Sequence, residues 1–383
     1  MKKKLISLML STALTAALFS GCAAQTATAP ASPEAADTSA ASEEPAPADE
    51  ASAEEVAAED TAAAASGAAG HTYAIVTKSA GNPYNEKEAS GFQEVIEAEG
   101  GTCIVQHPES ATADAQISVI QSLISQGVDS ICLAANDENA LAGVIADARD
   151  AGIQVLCLDS KVNPDSRATF VNQAGVNEIG QALMDAIYDL AGGSGDYAIL
   201  SATSQAANQN AWIAAMKTIA EADSKYADLN LVEVAYGDDE PQKSTDQTQA
   251  LLQNYPDLKV ICAPTTVGIA AAAKVLQDQS SKVKLTGLGL PSEMAEYIGD
   301  DDAHSCPYMF LWNPMDVGRL GAYTSIALVD GTITGAAGDT FEAGSMENSP
   351  YTIVEAEDGG TEVILGPPYE FNPENIDEWK TVY

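Results

Sequence analysis

Short apolar runs and longer stretches of helical periodicity alternate along the chain from residue 71 onward. Residues 73–77 form an apolar run suited to a strand, and 82–99 a helix with Phe92, Val95 and Ile96 on one face. Gly100-Gly101 stops that helix before a second strand over 102–106. Ile117, Ile120 and Ile124 recur at helical spacing up to Gly127, and a third strand follows over 130–134. Leu141, Val144, Ile145 and Ala148 mark the next helix and Gly152 its end; 154–158 is the fourth strand, and 168–171 adds a fifth. Helix, terminal glycine and short apolar strand return about every 25 residues, the pattern of parallel βα repeats.

A second series begins after Asn172-Gln173-Ala174. It reads as a helix over 176–190, a strand over 196–201, a helix over 208–222, a strand over 231–235 and a helix over 245–254. It leads into residues 259–294, where two apolar runs flank the alanine-rich helical stretch 267–276 and each ends in a proline turn, Ala263-Pro264-Thr265-Thr266 and Gly289-Leu290-Pro291. A short helix starts near Ser292. Right-handed crossovers put such loops on one sheet edge, outside the carboxyl ends of the strands, where open α/β sheets bind ligands. Beyond residue 305 the alternation lapses: a strand over 305–311, a helix over 315–330 and a hairpin over 351–365 about Gly359-Gly360 are expected. The class is therefore α/β, with two similar lobes, a ligand between them and a tail that crosses back over the cleft.

The 383 residues leave room for two domains and appendages. Lys2, Lys3 and Lys4 precede an apolar run over 5–19 and then Ser20-Gly21-Cys22, the make-up of an export signal too short to span a bilayer. Phe19-Ser20-Gly21-Cys22 resembles the lipobox of bacterial lipoproteins, whose cysteine is acylated and becomes the mature N-terminus. Residues 23–70 are almost wholly Ala, Ser, Thr, Pro, Glu and Asp, with no aromatic residue and Val56 as the one larger aliphatic. They cannot bury enough apolar surface to offset ordering and read as a tether with an r.m.s. span of roughly 40 Å. The net charge of −39 is mostly carried by the part after residue 70, at −32. Such a surface disfavours nucleic acid, anionic lipid and phosphorylated ligands, and favours a neutral or cationic one. Cys103, Cys132, Cys157, Cys262 and Cys306 form no C-x-x-C pair, and with three histidines no metal cluster or cofactor is indicated. They read as buried small hydrophobes.

The strand ends facing the presumed cleft carry Lys78, Asp159, Asn208-Gln209, Thr266 and Asn313, with Asn82 and Tyr84 just behind the first and Pro264 and Leu290 in the two proline turns. Vicinal hydroxyls both donate and accept, so Asp, Asn, Gln and Lys beside an aromatic face suit a small polyol. Taken singly, each has an ordinary structural use: Asp159 as a turn cap, Asn208 as a helix cap, Lys78 as a solvated strand end. Their shared placement is what favours a ligand. No G-x-S-x-G elbow or Walker A loop is present, Gly192-Gly193-Ser194-Gly195 precedes a strand rather than following one, and His107, the one histidine at a strand end beside a serine or carboxylate, is followed by Pro108.

The segments Asn208-Gln209-Asn210-Ala211-Trp212, Tyr236-Gly237-Asp238-Asp239-Glu240-Pro241-Gln242-Lys243-Ser244, 263–273, 286–294 and Leu311-Trp312-Asn313-Pro314 resemble the type 1 periplasmic sugar-binding proteins. Within these, the chain is similar to the rhamnose-binding and autoinducer-2-binding components of ABC importers, from about residue 72 to about 370. The resemblance implies two Rossmann-like lobes with parallel sheets joined by three crossing segments, hinge closure on a sugar, delivery to a permease and its ATPase, and no catalysis. It implies a first lobe of 71–173 and 313–334, a second of 174–312 and 335–383, and hinges near 172–174, 312–314 and 331–336. In the autoinducer-2 receptors a lysine, an aspartate, an Asp-Gln pair and a Pro-x-Ala loop hold the ligand. Lys78, Asp159, Gln209 and Pro264 match these; Asn208 replaces the pair's aspartate, Thr266 the alanine, and Lys161 stands where a second aspartate is common. Asn208 and Leu311-Trp312-Asn313-Pro314 lean toward a rhamnose-like deoxyhexose, with autoinducer-2 as the alternative. A sugar-modifying enzyme such as an isomerase is the rival from another class. A sugar-responsive repressor shares the lobes but needs a basic helix-turn-helix where this chain has an acidic tether. The expected product is a lipid-anchored, extracytoplasmic monomer.

Acylation at Cys22 predicts that Cys22→Ser releases the protein from the membrane fraction of its host, since stable attachment needs more than one acyl chain. Equal membrane partition of wild type and variant in fractionated cells would rule the anchor out.

Overall fold

A computed structural model describes residues 67–383; Cys22 and the tether up to residue 66 lie outside the described residues. Within the described part the ordered chain begins earlier than residue 71. Ala68 is fully buried, and its carbonyl accepts a hydrogen bond from the His71 amide at 3.1 Å. The first series becomes β1 (Thr72–Val76), α1 (Pro83–Ala98), β2 (Thr102–Gln106), α2 (Ala113–Gln126), β3 (Ser130–Leu133), α3 (Ala142–Asp150), β4 (Gln154–Leu158) and β5 (Phe170–Asn172). Asn82 and Thr112 cap α1 and α2 through their side chains, and Gly127 ends α2 in the left-handed conformation at φ +67°.

Both faces of these strands are covered, which is why they read as continuous apolar runs rather than alternating ones. Tyr73 and Ile75 of β1 pack toward Phe92 and Ile96 of α1, while Ala74 and Val76 pack toward Ile120 and Leu123 of α2. The second series becomes α4 (Val176–Leu190), β6 (Gly195–Ser201), α5 (Ala207–Ala222), β7 (Leu229–Tyr236), α6 (Pro241–Asn254), β8 (Leu258–Ala263), α7 (Thr266–Asp278), β9 (Lys284–Gly287), α8 (Pro291–Met294) and β10 (Met309–Leu311). The strand expected over 305–311 is thus shorter. After it come α9 (Pro314–Val329), β11 (Thr340–Phe341), β12 (Tyr351–Thr352), β13 (Val354–Glu355), β14 (Thr361–Ile364), β15 (Tyr369–Phe371) and α10 (Ile376–Trp379).

The two series form sheets of one topology. The first has the order β13-β14-β5-β4-β3-β1-β2, parallel except for β13; the second runs β7-β6-β8-β9, all parallel. A bridge between Leu288 and Phe310 sets β10 beside the end of β9, and β15 pairs antiparallel with β10. In both sheets the order reverses at the first strand of the series, β1 or β6, and ligands bind α/β sheets at such switch points.

Helix α9 returns to the first sheet and lies on α1 backbone to backbone. A Cβ on Gly91 would stand 2.0 Å from the Met315 carbonyl oxygen, and one on Gly318 would stand 1.9 Å from that of Glu88. Residues 335–383, in contrast, do not all join the second lobe. Val363 of β14 pairs with Val171, extending the first sheet past β5, and only β15 and α10 belong with the second. The third crossing is therefore at 365–368 rather than 331–336. Its cause is long-range: β5 would otherwise be an open edge, and the hairpin covers it. Asn172 donates to Glu362 at 2.9 Å, while Arg167 (5% exposed) and Lys161 both hold Asp358 at the hairpin tip. Cys132, Cys157, Cys262 and Cys306 are buried free thiols, and burial pushes those of Cys157 and Cys262 up to about 11 and about 12.

Gly318→Ala should lower stability by about 1–3 kcal/mol or more, because backbone rather than a movable side chain occupies the space; urea unfolding of the two proteins measures it. Asp358 supplies a pH dependence. Burial raises its pKa, but hydrogen bonds from Lys161, Arg167 and the Gly360 amide outweigh burial and hold it at about 2 against an ordinary 3.8. A depressed carboxyl stabilises the fold above its unfolded pKa and ceases to as pH falls through its folded value. The gap in urea midpoint between wild type and Asp358→Asn should therefore be widest above about pH 4 and close toward pH 2. A gap that stays constant over that range would remove the charge from the account.

Candidate ligand-binding site

Lys78 lies two residues past β1, Asp159 directly follows β4, and Asn208 sits in the first turn of α5, just after β6. These three carboxyl-end positions, two from the first sheet and one from the second, meet in one polar knot. Lys78 Nζ lies 3.2 Å from Asp159 Oδ2 and donates to Asn208 Oδ1 at 2.9 Å; Asn208 Nδ2 donates to Asp159 Oδ2 at 3.2 Å. Tyr84 donates its hydroxyl to Asp159 Oδ1 at 3.2 Å and accepts from Trp312 Nε1 at 2.7 Å. Lys78 and Asp159 are 7% and 5% exposed, so the ion pair is nearly dry, and the two further groups on it, Asn208 and Tyr84, satisfy valences that burial would leave costly. Asp159 takes φ +56°, a left-handed conformation uncommon outside glycine, which aims its carboxylate across the strand end.

The surrounding wall contains most of the residues that the sequence proposed. Asn82, Tyr84, Gln209, Pro264 and Thr266 line the same cavity as Lys78, Asp159 and Asn208, with a volume of about 40 Å³. Two of them have a structural bond already made. Asn82 Oδ1 accepts from the Tyr84 amide at 2.9 Å, and Gln209 Oε1 accepts from Ser201 Oγ and the Ala202 amide, both at 2.8 Å. Leu290 and Asn313 lie outside this cavity. Leu290 is 1% exposed in the hydrophobic core, at the N-cap of α8; Asn313 caps α9, accepting from the Met315 amide at 3.0 Å and donating to Asp316 at 2.9 Å. Lys161 faces Asp358 rather than the knot.

Residues that the sequence reading did not single out complete the wall. Asp239, at φ +55°, accepts from Thr265 Oγ1 at 2.7 Å. Burial pushes its carboxyl up, and the charges of Asp159 and Asp238 add to that against the Thr265 bond and Lys78. Trp212 of α5 and Trp312 at the end of β10 stand with ring centroids 5.8 Å apart at 60°. Glu88 lies fully buried behind Tyr84 with neither carboxylate oxygen hydrogen-bonded; burial and then the Asp159 charge drive its pKa well above the ordinary value. The tandem Asp238-Asp239 before Glu240-Pro241 was the available signal: a loop whose two central residues both take positive φ needs such side chains.

Two polar walls from separate sheets meet at a nearly dry ion pair beside two tryptophans, an arrangement suited to a small hydrogen-bonding molecule. The sequence pattern described as a periplasmic binding protein domain matches residues 73–333. The chain belongs to the periplasmic binding protein family. Among solved structures, a solute-binding protein of an ABC transporter from Clostridium phytofermentas, with bound L-rhamnose, is 62% identical, covering 82% of this chain and 99% of that one with a TM-score of 0.81. LsrB from Clostridium saccharobutylicum in complex with AI-2 is 22% identical over 80% of this chain and 99% of that one, TM-score 0.74, a likeness of fold. The D-ribose/D-allose-binding protein of Pseudomonas aeruginosa is 25% identical over 191 residues, 47% of this periplasmic binding protein and 57% of that relative's length.

Proposed function

We propose that this protein is the solute-binding component of an ABC importer, capturing L-rhamnose or a closely related deoxyhexose between its lobes and presenting it to a permease and its ATPase. The observation that carries the reading is the Lys78–Asp159–Asn208 knot, assembled from both lobes in a chain 62% identical to a protein holding L-rhamnose. A cavity of about 40 Å³ has room for a few water molecules, not for a pyranose, so the ligand enters with the lobes apart. Three crossings, at 173–175, 312–313 and 365–368, leave one dominant bending mode for that motion.

Within the closed cleft the two sides have different chemistry. A carboxylate only accepts, so Asp159 takes the protons of two ligand hydroxyls in place of the Asn208 amide and the Tyr84 hydroxyl. Asn208 gives one hydrogen bond and takes one, and Lys78 donates to a ring or hydroxyl oxygen. The Trp212 and Trp312 rings cover the apolar face that a deoxyhexose methyl and its ring C–H groups offer. Nothing in this chemistry needs a cofactor or breaks a bond, so the ligand leaves as it came. Attachment to the membrane through Cys22 and action as a monomer outside the cytoplasm complete the proposal.

Calorimetric titration with L-rhamnose, other deoxyhexoses, pentoses and autoinducer-2 tests it, with NMR of the recovered ligand to detect turnover. Losing charge-assisted bonds worth about 1.5–3 kcal/mol, Asp159→Ala should weaken the sugar roughly tenfold to more than a hundredfold. Asn208→Asp should weaken a deoxyhexose while leaving autoinducer-2 no worse. Tight autoinducer-2 binding with no sugar response would replace the sugar reading; sugar titrations unaltered by Asn208→Asp would make that residue a helix cap only.

A further inference from the structure

A second cavity, of about 570 Å³, lies against the crossing segments and shares only Trp312 with the sugar cleft. All three crossings contribute to it: Gln173 from the first, Trp312 and Asn313 from the second, and Leu365, Gly366 and Pro367 from the third. The first lobe adds the outer face of α9 and the second adds β15 and α10. Its volume falls in the range of small-molecule sites.

The lining has a consistent chemistry. Tyr369 is 44% exposed, and its ring stands 5.2 Å from that of Trp379, which packs 5.6 Å from Tyr383. Opposite these aromatic faces, Glu94 and Asp316 hold Arg319 by ion pairs of 2.8 and 2.7 Å, and Glu347 stands exposed at the rim. Three carboxylates against one guanidinium leave the wall negative. The Tyr351 phenol senses this field: burial raises its pKa, and the charges of Asp316 and Glu347 add to that against a hydrogen bond with Asn348. Gln173, 1% exposed, has a side-chain carbonyl without a hydrogen-bond partner, a buried acceptor waiting for a donor.

Aromatic faces and surplus carboxylates are what an organic ammonium ion binds, and the Gln173 carbonyl suits the N–H of a primary ammonium or the hydroxyl of a choline-like one. We propose that this hinge cavity is a second ligand site, for a small organic cation of the quaternary or primary ammonium class, and that its occupancy favours the closed arrangement of the lobes. The coupling follows from the walls. Both lobes and every crossing segment shape the cavity, so bending at the crossings reshapes it, and a molecule that fits it here binds this arrangement in preference to others. By linkage, that cation tightens sugar binding and sugar tightens the cation. The coupling, unlike the site itself, rests on the sugar-binding reading.

Choline chloride is the probe, titrated calorimetrically into the folded protein with sodium chloride at the same concentrations as control. Wild type should bind choline, and Tyr369→Ala and Glu347→Gln, both exposed positions, should each weaken it by about two- to thirtyfold. No heat beyond the sodium control overturns the site. Choline binding that both variants leave unchanged also overturns it, because the cation then sits elsewhere on an acidic surface. With choline saturating, the L-rhamnose dissociation constant should fall several-fold in wild type and stay put in Tyr369→Ala. An unchanged constant overturns the coupling while the site stands. If no sugar binds at all, the sugar reading fails and the choline titration still decides this site.

Discussion

Helices α1 and α9 approach closely enough that only glycine fits at Gly91 and Gly318, and much of the site depends on that contact. Both helices start at the cleft: Asn82 caps one and Asn313 the other. Their registration brings Tyr84 and Trp312, which sit beside those caps, within a 2.7 Å hydrogen bond although 228 residues separate them. Tyr84, so fixed, presents its hydroxyl to Asp159. A packing constraint on two backbones thus becomes the aim of one carboxylate. It also explains why the chain recrosses after β10, since α9 finds its partner only in the first lobe.

The charge of that carboxylate is set by contrast with its neighbours. In a chain of net charge −39, three acidic side chains approach the cleft, yet their surroundings differ. Asp159 has Lys78 and two hydrogen-bond donors. Glu88 has no donor at all, and burial drives it toward the neutral form, while Asp239 has Thr265 alone and is raised as well. The Lys78 ammonium against the Asp159 carboxylate is a pair a neutral ligand can share without having to bring a counter-charge of its own. The acidic exterior then repels anionic solutes before they reach it.

The βα series was legible because each element follows from local periodicity, a cap and a glycine: the stretch over 176–190 is α4, and the strands over 102–106 and 154–158 are β2 and β4. The site was legible where it sits on strand ends, hence Lys78, Asp159 and Asn208. What local pattern cannot contain is a partner far along the chain. Thr361–Ile364 looks like any amphipathic strand, and only the open edge of β5, about 190 residues earlier, decides which sheet receives it. Leu290 and Asn313 stay out of the cavity for a related reason. Both lie in turns at the proper end of a strand, but one side chain is drawn into the core and the other is consumed in capping α9. Asp239 was missed because its importance comes from a backbone conformation, which the Asp-Asp pair only hints at.

The placement of β14 has a consequence for biosynthesis. The sheet of the first lobe takes its sixth strand from residues translated after the whole second series, so a growing chain holds β5 as a bare edge until Thr361–Ile364 are made. N-terminal domains ordinarily fold while the remainder is still being made. Here neither lobe is a contiguous stretch of the gene, and no cut in the message yields one whole lobe. The architecture itself therefore delays completion of the first lobe until the second series has been made.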